Sequence, residues 1–124
     1  MAADWRALFN GLNVKVEGDE VVINFDNGRS QRVRVCETDE VLELHAIVAR
    51  ASAVRDVRDL PLRLWLHNRA AQLVSFRIDT RGRVYAEGWV PKVGMTAEEL
   101  QLVLRRVAAE SDRLEFLLTG KDAE

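Results

Sequence analysis

Three side chains in this sequence carry a thiol or an imidazole, groups suited to act as nucleophile, base or metal ligand: Cys36, His45 and His67. None has a partner at the spacing that structural or catalytic zinc sites use, so we predict no metal site. Cys36 and His45 fall on neighbouring predicted strands, where a thiol and an imidazole can approach as a nucleophilic pair. A cysteine in a strand is much more often a small core residue. We therefore predict no catalytic residue.

Carboxylate pairs are the next candidates, because two nearby acids can share general acid and base work. The pairs are Glu98 with Glu99, Asp56 with Asp59, and Glu110 with Asp112. Each has a local explanation, as a complement to a helix dipole, a charged connector or an exposed helix face. The turn glycines are isolated in the sequence, so they match neither the phosphate-binding loop motif nor the dinucleotide-binding motif. The sequence thus predicts a protein that is not an enzyme and uses no cofactor.

A group of arginines around residues 50–69 could bind an acidic partner or an RNA backbone. Its members are Arg50, Arg55, Arg58, Arg63 and Arg69. A solvated helix and connector explain these charges more simply. The formal net charge of −2 also gives no general attraction for polyanions, so we predict no nucleic-acid ligand.

Aromatic residues in the second half could form an apolar surface for a partner, since tryptophan and tyrosine are enriched in interfaces. Core packing explains each one singly, but three tryptophans in so small a chain leave room for one at an interface. We predict a partner or dimer surface formed by Trp65, Asn68, Arg69, Tyr85 and Trp89.

The element with the clearest sequence signals is a long amphipathic helix over 96–119. Thr96 and Glu99 form a capping box at its start, and Gly120 can close its end. Apolar residues recur at helical spacing on one face. They are Leu100, Val103, Leu104, Val107, Leu114, Leu117 and Leu118, with Ser111 among them.

Two strands precede this helix. Residues 73–79 and 84–90 alternate with period two, and Arg81-Gly82 makes the turn between them. Tyr85 and Trp89 share one face of the second strand, opposite small or branched residues. A long helix has more apolar surface than one hairpin can cover, so further strands or a second copy of the protein must cover the rest.

The first half predicts a short helix and then several antiparallel strands. The helix spans 2–12, with Asp4 as its cap and Trp5 and Phe9 filling the core. Strands follow over 14–17, 21–25 and 30–37, with turns at Gly18-Asp19 and Asp26-Asn27-Gly28.

Residues 41–54 suit either a strand or a helix, and their β-branched residues favour a strand to about Ala49. Two placements of this strand are open: a continuation of the third strand past a bulge, or an added edge. Residues 60–71 predict a second helix, with Pro61 in its first turn. Its apolar side carries Leu62, Trp65, Leu66 and Ala70.

Length and composition indicate one domain over 1–124 in an α+β class, with an antiparallel sheet and the element order α-β-β-β(-β)-α-β-β-α. A single cysteine allows no internal disulfide. No apolar run approaches the roughly 20 residues of a membrane span, and no signal segment begins the chain. We expect a cytoplasmic protein without a membrane partner.

Segments of the second half resemble the YbjN family of bacterial proteins, described as sensory transduction regulators. The segments are Leu66-His67-Asn68-Arg69, Phe76-Arg77-Ile78-Asp79, residues 81–87 and the helical run 108–112. The resemblance covers chiefly residues 60–120. It implies a fold similar to the chaperones of type III secretion, whose order is helix, three strands, helix, two strands and helix. It also implies a compact dimer whose surface binds another polypeptide.

Two functions follow as hypotheses. The first is a non-catalytic protein-binding or regulatory module, chaperone-like, that acts as a homodimer and binds another polypeptide. The alternative is a small-molecule-binding domain with a pocket between the sheet and the C-terminal helix, lined by Asn68, Trp65 and Tyr85.

Overall fold

A six-stranded antiparallel sheet and its helices make up the computed structural model, which describes residues 4–9, 13–26 and 28–120. The predicted α+β class is confirmed, and a short helix, α1, is added to the predicted order. The elements are a 3-10 helix Trp5–Leu8, β1 Val14–Glu17, β2 Glu20–Asn24, β3 Ser30–Glu37, β4 Val41–Ala49, α1 Ala51–Val54, α2 Leu60–Ala70, β5 Ser75–Ile78, β6 Val84–Pro91 and α3 Ala97–Thr119.

The strands lie in the order β1-β2-β3-β4-β6-β5, and every neighbouring pair is antiparallel. The predicted strand to Ala49 is confirmed as β4. Both placements considered for it are wrong: β4 follows a turn at Thr38 and lies in the middle of the sheet, between β3 and β6. Long-range pairing on both of its edges decides this position.

The N-terminal helix is shorter than predicted. Within residues 4–9 only Trp5–Leu8 is helical, as a 3-10 turn whose start is capped by the Asp4 carboxylate accepting from the Arg6 N–H. Trp5 and Phe9 are buried, and their rings meet edge to face at 5.8 Å, which confirms core packing. Residues 2–3 and 10–12 of the predicted helix, and Asn27 of the predicted turn, lie outside the described residues.

The long helix α3 forms as its sequence signals predict. The Thr96 hydroxyl accepts from the Glu99 N–H at 3.2 Å, and Gly120 has a φ of 69°, the left-handed conformation that ends a helix. The predicted core face is buried with one exception, Leu117, which is 45% exposed. Leu117 lies roughly 100° around the helix from Leu118, which takes it to the edge of the buried stripe.

One face of the sheet packs against α3, which contacts β3, β4 and β6. The side chains there are apolar and almost fully buried, including Val33, Leu44, Ala46, Val84 and Ala86. None of the described helices is both long and apolar enough to cross a membrane.

The helix and the sheet approach each other closely at Gly88 on β6. A Cβ atom there would lie 2.8 Å from Val103 Cγ1 on α3 and 2.9 Å from the Leu73 carbonyl oxygen. Both distances are shorter than a normal carbon contact. The space between α3 and the sheet therefore has no room for a side chain at position 88, and this position requires glycine.

A buried polar group interrupts the apolar layer where β4 has a register irregularity between Ile47 and Ala49. The Gln31 side-chain amide donates to the Ser111 hydroxyl at 3.1 Å, and both side chains lie 3.5 Å from the Ile47 carbonyl. The irregular pairing leaves this carbonyl in need of a partner, and the two side chains supply one.

The substitution Gly88→Ala is expected to lower the free energy of unfolding by about 1–3 kcal/mol, because the added methyl group overpacks the layer between helix and sheet. Urea denaturation of both proteins measures the loss. In the double variant with Val103→Ala, removal of the nearest side-chain atoms should make the two losses less than additive. Strict additivity would contradict this account.

Candidate functional site

The second face of the sheet, here called the open face, is not covered by α3. Alternation along each strand places Arg32, Arg34 and Cys36 of β3, Glu43, His45 and Ile47 of β4, and Tyr85, Glu87 and Trp89 of β6 on this face. The 3-10 helix and α1 contact α3, Arg6 of the 3-10 helix also reaches the turn between β1 and β2, and α2 lies chiefly against β5. The helices that the structure describes therefore lie on the other face or at the β5 edge.

The helix α2 turns its apolar side outward. Leu62, Trp65 and Leu66 are 53%, 55% and 49% exposed, whereas Leu64 on the opposite side is buried. These three exposed residues recur at the spacing of one helical face. The Arg69 guanidinium lies over the Trp65 ring, 5.2 Å from its centre, which holds the tryptophan in place on the surface.

Two further exposed apolar residues lie near α2. Leu73 is 55% exposed and has a φ of 67°, and Trp89 on β6 is 62% exposed. Both line a depression of about 400 Å³ that Asn68 also borders. We call Leu62, Trp65, Leu66, Leu73 and Trp89 the apolar edge surface.

Asn68 joins α2 to the outer edge of β5. Its side-chain amide donates to the Phe76 carbonyl at 2.9 Å, and its oxygen accepts from the Phe76 N–H at 2.7 Å. β5 is the last strand of the sheet, so these bonds replace those that a further strand would make. The amide of this predicted surface residue is thus engaged within the chain.

Tyr85 lies apart from the other predicted surface residues. Two guanidinium groups, of Arg77 and Arg83, contact its ring on the open face, and their central carbons are 5.0 and 5.4 Å from the ring centre. The structure thus pairs Trp65 with Arg69 and places Asn68 beside Trp89, but it does not bring all five predicted residues together. Sequence reasoning left Leu73 out of the surface, because a left-handed leucine has no signature in the sequence.

A cavity of about 510 Å³ crosses the open face. Its lining includes Arg32, Arg34, Arg77 and Arg83, together with Ile47 and Tyr85, and we call it the open-face groove. The small-molecule hypothesis placed a pocket between the sheet and α3. Of the residues predicted to line that pocket, Tyr85 lines the open-face groove, Asn68 lines the depression at the edge, and Trp65 lines neither.

Cys36 and His45 both line the open-face groove. The imidazole nitrogens of His45, however, lie 3.1 Å from a Glu43 oxygen and 3.2 Å from a Glu87 oxygen. Within the described part of the chain, the imidazole hydrogen-bonds to the Glu43 carboxylate and not to the Cys36 thiol, while Nδ1 faces Glu87 without forming a hydrogen bond. Among the residues that the structure describes, no group of three or more His, Cys, Asp or Glu side chains could hold a metal ion.

The turn between β5 and β6 positions one side of the groove. The Asp79 carboxylate accepts from the N–H groups of Arg81 and Arg83, and it pairs with the Arg83 Nε at 2.7 Å. Burial raises the pKa of Asp79, but the hydrogen bonds from Arg83 and Arg81 outweigh it and leave this pKa below its usual value. The carboxylate thus keeps its charge and holds Arg83 at the rim.

An antiparallel sheet covered by one long helix, with a second helix at its edge, is the architecture of type III secretion chaperones. A chain of the heterodimeric ExoU–SpcU complex from the type III secretion system of Pseudomonas aeruginosa matches with a TM-score of 0.63 at 14% identity, over 94% of this chain and 97% of that chain. A chain of the ExsC–ExsE complex matches with a TM-score of 0.60 at 17% identity, over 85% and 80%. At these identities the likeness establishes the fold.

A third similar structure is that of the Yersinia pestis type III secretion chaperone SycH in complex with a fragment of YscM2. Its TM-score is 0.55 at 8% identity, over 89% of this chain and 92% of that chain. No protein-family model matches the sequence, and a search of curated proteins finds no match.

The bridge from Asn68 predicts a local effect on amide hydrogen exchange. In Asn68→Ala the Phe76 N–H loses its acceptor, so its exchange should become about five- to tenfold faster, as expected for a lost hydrogen bond of about 1–1.5 kcal/mol. The amide of Ala86, which faces Phe76 across β5 and β6, is the internal control. Equal acceleration of both amides would show a general loss of stability and contradict the bridging role.

The lowered pKa of His67 predicts that the protein loses stability in acid. Burial lowers the pKa of His67, and Arg113 and Arg63 lower it further while Glu110 opposes them. The unfolded chain therefore takes up this proton more readily, and stability is lost as the pH falls below about 6.5. Between pH 7.5 and pH 5.5 the wild type should lose more unfolding free energy in urea than His67→Gln. An equal loss in both proteins would rule out this assignment.

Proposed function

We propose that this chain forms a homodimer through the apolar edge surface and acts as a non-catalytic, chaperone-like or regulatory module that binds another polypeptide. The observation that carries the proposal is the outward apolar side of α2, beside Leu73 and Trp89. Large apolar side chains grouped on one surface favour association, because removing apolar surface from water is favourable in free energy.

The position of α2 supports an interface at this edge. The helix lies against β5 through its inner side, where Leu64 is buried and Asn68 binds the strand. Its outer side carries Leu62, Trp65 and Leu66, none of which the described part of the chain covers. A two-fold axis beside α2 would pack this side against its own copy, as a closed dimer requires.

The backbone of Leu73 supports the same surface. A non-glycine residue in the left-handed region costs roughly 1–2 kcal/mol. Here the strained residue also exposes more than half of an apolar side chain. Neither feature stabilises the isolated chain, whereas burial of this side chain in a partner would offset both.

Support for a polypeptide partner comes from the similar structures. In one of them the chaperone SycH is in complex with a fragment of YscM2, and another is a chaperone–effector complex, HopA1–SchA, which matches with a TM-score of 0.53. We carry polypeptide binding over to this chain on the likeness of fold and on its exposed apolar surface. Membership of the YbjN family and a single cooperative domain over 1–124 belong to the same proposal.

Light scattering across a dilution series tests the dimer. We expect the mass of two chains for the wild type and a dissociation constant at least about tenfold higher for Trp65→Ser, because an interface tryptophan contributes strongly to binding. Leu102→Ser is the matched control, since Leu102 is an exposed leucine on α3 outside the surface. A wild type with the mass of one chain at micromolar concentration would refute the proposal.

A second variant separates association from folding. Leu73→Asn should weaken the dimer, because the apolar side chain is lost. In the Trp65→Ser background, at a concentration where light scattering shows a monomer, it should leave the unfolding free energy unchanged or higher, since asparagine tolerates the left-handed backbone. A lower unfolding free energy in that background would show that Leu73 stabilises the fold and does not serve the interface.

A further inference from the structure

The lining of the open-face groove spans several adjacent strands of the sheet. Its lining residues come from β2, β3, β4, β6 and β5 or the turn beside them. Five adjacent strands are separated by four steps of about 4.8 Å, so the groove is roughly 19 Å long. An extended chain of about six residues has this length at about 3.3 Å per residue.

Charged side chains of both signs lie in and around the open-face groove. Four arginines line it against one carboxylate, that of Glu20, although the whole chain has a formal charge of −2. Arg32 pairs with Glu17 and Glu20, both at 3.3 Å. Arg77 pairs with Glu87 at 3.0 Å, and Arg83 pairs with Asp79 at 2.7 Å.

Arg34 differs from the other three arginines. It is exposed and has no acidic partner among residues 4–9, 13–26 and 28–120. Glu20 lies directly across from Arg34 in the register of β2 and β3, yet its carboxylate binds Arg32. The cross-strand neighbour on the other side is His45, whose Nε2 is hydrogen-bonded to Glu43. Within the described part of the chain, the guanidinium of Arg34 is thus free to bind an anion.

We propose that the open-face groove binds an extended acidic segment of a polypeptide partner, with one carboxylate of the segment on the Arg34 guanidinium. This inference rests on the proposed function only in taking a polypeptide as the ligand. A guanidinium binds a carboxylate through two parallel hydrogen bonds, and Ile47, which is 47% exposed, offers an apolar contact alongside. The length of the groove favours a peptide over a single small anion, which would fill only a small part of it.

Recognition in this groove would come from side chains. The backbones of β3, β4 and β6 pair with a strand on each side, so they offer no free edge to an added strand. The ligand would lie over the sheet, and the arginine side chains beneath it would bind its acidic residues. Binding should therefore depend on acidic residues and weaken with salt.

Fluorescence anisotropy with a short labelled peptide of alternating glutamates and leucines tests the proposal. The comparison peptide carries glutamine in place of glutamate. Wild-type protein should bind the acidic peptide at least about tenfold more tightly than the glutamine peptide, and Arg34→Gln should remove most of this difference, as loss of a charge-assisted hydrogen bond predicts. Arg106→Gln is the matched control, because Arg106 is exposed on α3 and its loss changes the net charge equally.

Three results would overturn the proposal. The first is equal binding of the two peptides, and the second is an equal loss in Arg34→Gln and Arg106→Gln. The third is displacement of the peptide from the wild type by inorganic phosphate, at phosphate concentrations close to the dissociation constant that phosphate shows by itself. That result would identify a small-anion site. Thermal unfolding of each variant checks that it is folded. The dimer proposal is tested by mass alone and the groove proposal by peptide binding. Either proposal can therefore be refuted without the other.

Discussion

The packing of α3 against one face of the sheet is the interaction on which the rest of this structure depends. The helix buries a continuous stripe from Leu100 to Leu118 against β3, β4 and β6. This contact brings distant parts of the chain together, since β3 ends at Glu37 and α3 begins only at Ala97. The absence of a side chain at Gly88 sets how closely the two layers approach. A single helical layer can cover only one face, and the opposite face must then be compatible with water.

That constraint explains the chemistry of the open face. Successive residues of a strand point to opposite faces, so Arg32 and Arg34 alternate with Val33 and Val35 on the same strand. Side chains on adjacent strands carry complementary charges, such as Arg77 on β5 and its diagonal neighbour Glu87 on β6. The surface is therefore largely self-paired, and Arg34, unpaired within the described residues, stands out because its neighbours are matched.

The second helix has a different relation to the sheet. It covers the edge of β5 and contributes little to the apolar layer, because Leu64 is the one buried residue within Leu60–Ala70, all of which the structure describes. Its hydrogen bonds through Asn68 close the strand edge and leave its apolar side outward. The protein thus has two surfaces of different chemistry, an apolar one at the β5 edge and a charged one across the strands. The similar chaperone structures share this fold at 8–17% identity, since a fold depends on the pattern of buried residues more than on their identity.

The sequence by itself determined the elements whose signals are local. The span of α3 follows from the Thr96 cap, the helical spacing and Gly120, and the β5–β6 hairpin follows from alternation around Gly82. It also placed Tyr85 and Trp89 together on one face of a strand. Only the tertiary structure decided that β4 lies in the centre of the sheet and that the apolar side of α2 faces outward, because both depend on pairing between distant residues. The sequence also could not predict two features of single residues. Leu73 has a left-handed backbone, and Arg34 has no acidic partner in the described part of the chain. Each feature depends on the residues that neighbouring elements bring close to it.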